Sequence, residues 1–156
     1  MNFHKLMTAA CCLAGALLLG GCAVPNGGGG GKVVLSTDKI YPAIGPYSQM
    51  IGHGKLIYFS GIISLDITGT TIVGATTAEQ TRGALEYIAH GLASQGLGFE
   101  DVVMSTVYMK DLNDFAAMNQ AYAQFFKQDP RARATLHLAR PPGDAMIEIA
   151  MVAARR

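Results

Sequence analysis

From residue 32 onward, short runs of β pattern are interrupted by two longer stretches of helical period. Lys32–Ser36 contains the β-branched pair Val33-Val34 and predicts a first strand. Ser48–Gly52 and Leu56–Ser60 flank His53-Gly54-Lys55, a short glycine-containing turn that predicts a hairpin. Ile62–Ile67 continues that sheet before Gly69 breaks it. Thr76–Gln95 predicts a helix. Thr76 or Thr77 caps its start, Glu79 supports the first turn, and Leu85, Ile88, Ala89 and Leu92 form one apolar stripe that Gly96 terminates. Val102–Met109 alternates as a strand with one face better buried than the other. Asp111–Phe126 returns to helical spacing through Phe115, Met118, Tyr122 and Phe125, with Asp111 or Asn113 as cap. Arg133–Ala139 and Ala145–Ala153 predict two closing strands.

This order predicts an α+β sandwich: a sheet of about six strands with both helices on one face. The opposite face remains too apolar to stand in water, so an oligomer is expected.

Within the last apolar run, Ala145-Met146-Ile147-Glu148-Ile149-Ala150-Met151-Val152-Ala153, one acid stands alone. Ile147, Ile149 and Met151 fill one face at period two, and Met146, Ala150 and Val152 fill the other. Glu148 therefore points into an apolar surface whichever way the strand lies. A lone buried carboxylate is costly, so it needs a partner or a task. The run just upstream supplies a candidate, because Arg133, Thr135 and His137 share one face while Leu136 and Leu138 share the other. A polar-faced strand beside a strand carrying one acid has the form of a site. The same two residues also fit a structural ion pair between neighbouring strands.

The N-terminal segment has a separate logic. Met1–Lys5 is short and basic, Leu6–Leu19 is apolar, and Leu19-Gly20-Gly21-Cys22 closes with small residues before a cysteine. That is the form of a bacterial lipoprotein signal, with cleavage leaving Cys22 as the lipid-bearing N-terminus. The apolar run is shorter than the roughly 18 residues that argue for a membrane span. The expected organisation is signal peptide over residues 1–21, lipidated Cys22 and a glycine-rich tether over residues 22–31, and one domain over residues 32–156. The expected location is the cell envelope, lipid-anchored and facing the periplasm; Ala23 lacks the acidic residue that retains lipoproteins at the inner membrane, which favours the outer.

Processing there changes the chemistry available. Cys11 and Cys12 leave with the signal and Cys22 is acylated, so no thiolate nucleophile, disulfide or cysteine metal site remains. Of 12 basic and 11 acidic residues only Lys5 is removed, so the mature side chains balance. That argues against nucleic acid as a partner, since phosphate neutralisation needs excess basic charge. The four histidines have no metal-ligand spacing. Gly27–Gly31 followed by Lys32 lacks the leading glycine and trailing Ser/Thr of a phosphate loop.

Five motifs occur in order: Ala43-Ile44-Gly45-Pro46-Tyr47-Ser48-Gln49, Phe59-Ser60-Gly61, Asp111-Leu112-Asn113-Asp114-Phe115, Arg133-Ala134-Thr135 and Ile147-Glu148-Ile149. Together they resemble the RidA family, also called YjgF, of imine deaminases, over residues 35–156. The resemblance implies a chorismate-mutase-like α+β fold and a homotrimer with ligand clefts between subunits. It further implies hydrolysis of 2-imino acids, or their enamine tautomers, to 2-oxo acids and ammonia without a cofactor. By the same resemblance Arg133 binds the substrate carboxylate, Glu148 orients the attacking water, and Tyr47, Ser60, Gly61, Asn119 and Thr135 are cleft positions. Ile62 takes the place of a polar residue common after Ser-Gly, which should make the cleft wall more apolar. Arg131 takes the place of a common proline, and Thr135 that of a common cysteine.

The residue chemistry is compatible with that assignment. A planar guanidinium grips a carboxylate through two parallel hydrogen bonds, and a carboxylate in apolar surroundings has raised basicity toward water. Two rivals from other classes keep the same anchor: a lipid-anchored protein that binds small carboxylates without turnover, and an envelope interaction protein.

Overall fold

The computed structural model describes residues 31–156; the signal, Cys22 and nearly all of the tether fall on residues 1–30, outside the described residues. Six strands form one mixed sheet: β1 Val33–Leu35, β2 Met50–His53, β3 Leu56–Phe59, β4 Val102–Met109, β5 Ala132–His137 and β6 Ile147–Ala154. Their spatial order is β1-β2-β3-β6-β4-β5, so the last strand of the chain lies in the middle. All neighbours are antiparallel except β4 and β5. The expected hairpin joins β2 to β3 through Gly54 and Lys55, and Gly54 takes a left-handed φ of 58°, which glycine adopts at no steric cost.

Two helices cover one face. Helix α1, Thr77–Ser94, starts at a capping box in which Thr76 Oγ1 accepts from Glu79 N while the Glu79 carboxylate accepts from Thr76 N. It ends at Gly96, whose φ of 70° lets Gly96 N and Leu97 N return to the carbonyls of Ala93 and Leu92. Its buried stripe is Ala84, Leu85, Ile88 and Leu92, with Ala84 in the place expected for Ala89. Gly91 brings the helix close to the sheet, since a Cβ there would lie 2.5 Å from the Phe59 ring. Helix α2, Phe115–Tyr122, is shorter than the expected Asp111–Phe126. Asp111 caps a preceding 3-10 turn, Leu112–Asp114, and the chain leaves helical geometry after Ala123.

On the helix side, Met50, Ile57, Phe59, Val107, Met109, Ile147, Ile149 and Met151 form the sheet's half of the core. The other side is uncovered by any element among the described residues. Ile51, Tyr58, Val152, Met104, Tyr108 and Leu136 are half-buried or exposed there. The expected strand at Ile62–Ile67 reduces to two isolated bridges, Ile62 with Ile149 and Leu65 with Ile72.

Candidate functional site

Registry separates the two residues that the sequence brings together. Arg133 lies opposite Ser105 on β4, whereas Glu148 lies opposite Tyr108 on the other edge of that strand. Ser105 and Tyr108 are three positions apart, an odd number, so they face opposite sides of the sheet. Arg133 thus turns toward the helices and Glu148 toward the uncovered face. The expected adjacency of their strands is corrected, because β4 lies between β5 and β6. No ion pair joins the two residues among the described residues. Each instead anchors its own recess.

The Glu148 recess, about 200 Å³, is lined by Tyr41, Ile44, Tyr47, Ser60, Gly61, Ile63, Pro142 and Glu148. Burial pushes the Glu148 carboxyl above its ordinary range, and no cation or hydrogen-bond donor among the described residues offsets this. Gly61 makes room for it: a Cβ at that position would lie 1.7 Å from Glu148 Oε1. Ile62 N and Ile149 N each donate at 2.9 Å to the other's carbonyl, fixing this backbone against β6. The Ser60 hydroxyl donates to Ser48 O at 2.7 Å, so its proton ties the wall of the recess together. Tyr47 is exposed, and its hydroxyl accepts from Ile44 N at 3.3 Å across the Gly45-Pro46 turn.

The Arg133 recess, about 480 Å³, is lined by Asn119, Tyr122, Ala123, Phe126, Pro130, Arg131 and Arg133. Arg133 Nη2 donates to Asn119 Oδ1 at 2.7 Å. Its guanidinium carbon sits 4.8 Å from the Tyr122 ring centroid and 5.7 Å from that of Phe115. Tyr122 in turn stacks on Phe126, with centroids 4.4 Å apart, and its hydroxyl is 2.6 Å from Ser105 Oγ. The cation is therefore held in a plane by aromatic faces and one amide, with its other N–H groups uncommitted to any carboxylate among the described residues. That geometry suits a bidentate grip on a planar acid.

Thr135 shares the helix-side face with Arg133, paired with Val107, but lines neither recess. His137 is exposed at the end of β5, its Nε2 3.1 Å from Lys110 O. Ile62 is a core residue, 2 % exposed, so it does not make the wall apolar as expected; Ile63, one position on, does. Arg131, in the place of the common proline, sends Nη2 to Glu100 O at 3.0 Å and braces the loop before β5. Tyr41, Pro142 and Tyr122 were absent from the sequence-based site. Tyr122 was expected only as a helix stripe residue, and nothing in a local pattern tells a stripe aromatic from one under a cation.

Fold and recesses together define an α+β protein of the chorismate-mutase-like type, with an acid and a cation in separate recesses. Comparison with known proteins gives the class more closely. The family described as Endoribonuclease L-PSP matches over residues 37–155. The chain belongs to this family, which includes the YjgF and RutC proteins. It is 40 % identical over 122 residues to a RutC family protein of Saccharolobus solfataricus, covering 78 % of this chain and 97 % of that one. It is also 40 % identical over 120 residues to a human 2-iminobutanoate/2-iminopropanoate deaminase, covering 77 % and 88 %. Among solved structures it is similar to the YjgF gene product of E. coli, with a TM-score of 0.74 and 38 % identity over 80 % of this chain and 99 % of that one. It is likewise similar to E. coli TdcF with bound serine, with a TM-score of 0.74 and 34 % identity over the same shares.

Proposed function

We propose that this protein hydrolyses small 2-imino acids to 2-oxo acids and ammonia, as a homotrimer that is lipid-anchored through Cys22 at the cell envelope. The observation that carries the reading is the complementarity of two incomplete recesses: a cation held flat in an aromatic slot and a lone desolvated acid in an apolar one. They lie on opposite faces of one sheet. Packing the uncovered faces of three copies against one another buries that apolar surface, and because Arg133 stands on the edge strand β5, the acid of one copy then approaches the cation of the next across that edge. The identity of 40 % to a protein named as an imine deaminase supports the same chemistry. The balance of acids and bases over residues 32–156 favours a small acid over a polynucleotide.

In this reading Arg133 holds the substrate carboxylate, with Asn119 and Tyr122 fixing its plane. A water beside Glu148 attacks C2 of the iminium; the π electrons move to nitrogen, and Glu148 takes one water proton and passes it to that nitrogen. The hydroxyl of the resulting carbinolamine then yields its proton to Glu148, the C–N bond breaks, and ammonia leaves with the electron pair. A carboxylate whose proton affinity is raised by burial is suited to both transfers.

The test generates 2-iminobutanoate in solution by oxidising the amino acid and follows its loss with purified protein. Faster loss with wild type than with Glu148→Gln, both folded and of equal mass, is the expected result. Loss at the uncatalysed rate, together with retained binding of butanoate, would replace the enzyme by a small-carboxylate-binding protein.

A further inference from the structure

Tyr41 stands at the edge of the Glu148 recess, 3 % exposed, and its hydroxyl oxygen accepts a hydrogen bond from Ile63 N at 3.1 Å. A backbone N–H can only donate, so this contact uses a lone pair and leaves the phenolic proton to be given elsewhere. No acceptor for that proton occurs among the described residues. The neighbouring phenol, Tyr87, meets the Tyr41 ring edge to face at 5.2 Å but commits its own hydroxyl to Leu65 O at 2.7 Å. A buried O–H without an acceptor is costly, and the recess that Tyr41 lines together with Glu148 is where an acceptor can reach it.

The residue is also held in place. Gln49 Nε2 donates to the carbonyls of Tyr41 and Ile40 at 2.9 and 3.1 Å, and Pro42 restricts the Tyr41 backbone to extended geometry. Ile63, which carries the other contact, is two residues beyond the Gly61 that packs on the Glu148 carboxylate. The donor and the wall beside the acid are thus fixed to one another.

We infer that Tyr41 is a further catalytic residue, donating its hydroxyl proton in a hydrogen bond to the oxygen that attacks C2 and becomes the carbonyl oxygen of the product. This rests on the deamination reading above. The oxygen has a lone pair to accept that bond as water, as carbinolamine hydroxyl and as ketone, so the donor need not move as the reaction proceeds. It strengthens as electron density gathers on oxygen during loss of ammonia. Tyr41 acts by donating, not by losing its proton: burial, opposed in part by the Ile63 N–H, pushes its pKa up to about 12.

The test uses Tyr41→Phe, which keeps the ring and its contact with Tyr87, and reads turnover of 2-iminobutanoate together with binding of 2-oxobutanoate and of butanoate. Both ligands offer a carboxylate, but only the first offers the carbonyl oxygen. Turnover should fall about tenfold to a hundredfold, and the wild-type preference for 2-oxobutanoate over butanoate should shrink about threefold to tenfold. Unchanged turnover and preference would overturn the inference; equal weakening of both ligands would do so too, since it marks only a disturbed Ile63 segment. Difluorotyrosine at position 41 keeps the shape and makes a stronger donor, so preference should rise, and a preference that stays fixed is equally fatal. Failure of the deamination reading shows instead in wild type, as absent turnover.

Discussion

Replacing Gly61 with alanine puts a methyl group where the Glu148 carboxylate now lies. The added Cβ would be 1.7 Å from Oε1, 2.6 Å from Cδ and 2.9 Å from Cγ of Glu148, whereas ordinary contact begins near 3.4 Å. Oε1 must therefore retreat by about 1.5 Å or more, and misplacement of a reacting group by about 1 Å can cost about 10² in rate. The retreat itself is cheap, because the obstructing atoms belong to a flexible side chain that no hydrogen bond holds among the described residues; an off-rotamer glutamate costs about 0.5–1.5 kcal/mol. Gly61→Ala should thus lose about 10² in turnover of 2-iminobutanoate while melting within a few degrees of wild type and binding butanoate as before. The decisive measurement is a double-mutant cycle with Glu148→Gln. If the methyl acts by displacing the carboxylate, it adds nothing once that carboxylate is an amide. Full additivity of the two losses, or wild-type turnover in Gly61→Ala, would refute the reasoning.

Arg133→Ala should weaken butanoate binding about tenfold to a hundredfold, from loss of a charge-assisted pair worth about 1.5–3 kcal/mol, as read by calorimetry; Glu148→Gln should retain binding and lose about 10² to 10⁴ in turnover. Because burial raises the Glu148 pKa above its ordinary 4.5, turnover should rise with pH through a midpoint above that value. The raised folded-state pKa also means that the folded state binds the extra proton and loses relative stability as pH climbs through the same window, so Glu148→Gln should melt higher than wild type above it and equally below it. Val152→Lys, which puts a charge on the uncovered face, should give a monomer by light scattering with butanoate binding retained and turnover abolished. Cys22→Ala should release the protein from membranes into the soluble fraction, measured by fractionation of expressing cells.

Much of the architecture was legible because period and capping are local. The capping box of Thr76 and Glu79, the glycine stop at Gly96, and the alternation of β4 and β6 each depend on side chains within a few residues of one another. The second helix was overextended because Phe125 keeps the helical spacing while serving another purpose, packing edge to face on Phe99 with centroids 5.3 Å apart. Ile62 was misjudged for a related reason. Alternation gives two faces to a run but not their destinations, and the bridge to Ile149 sends Ile62 inward and Ile63 to the recess.

The sequence alone determined the class of fold, the oddity of one acid in an apolar strand, and Arg133 and Glu148 as residues requiring explanation. It could not say that β6 inserts between β3 and β4, because strand order is set by long-range pairing that leaves no periodic trace. That insertion decides the geometry of the site: it places β4 between the two residues, and an odd registry offset along β4 turns them to opposite faces. Tertiary structure alone also brought Tyr41, which lies 107 positions before Glu148 in the chain, into the same recess. Its free proton follows from a single backbone contact with Ile63. Hydrogen-bond direction is a property of folded neighbours, and a list of residues does not carry it.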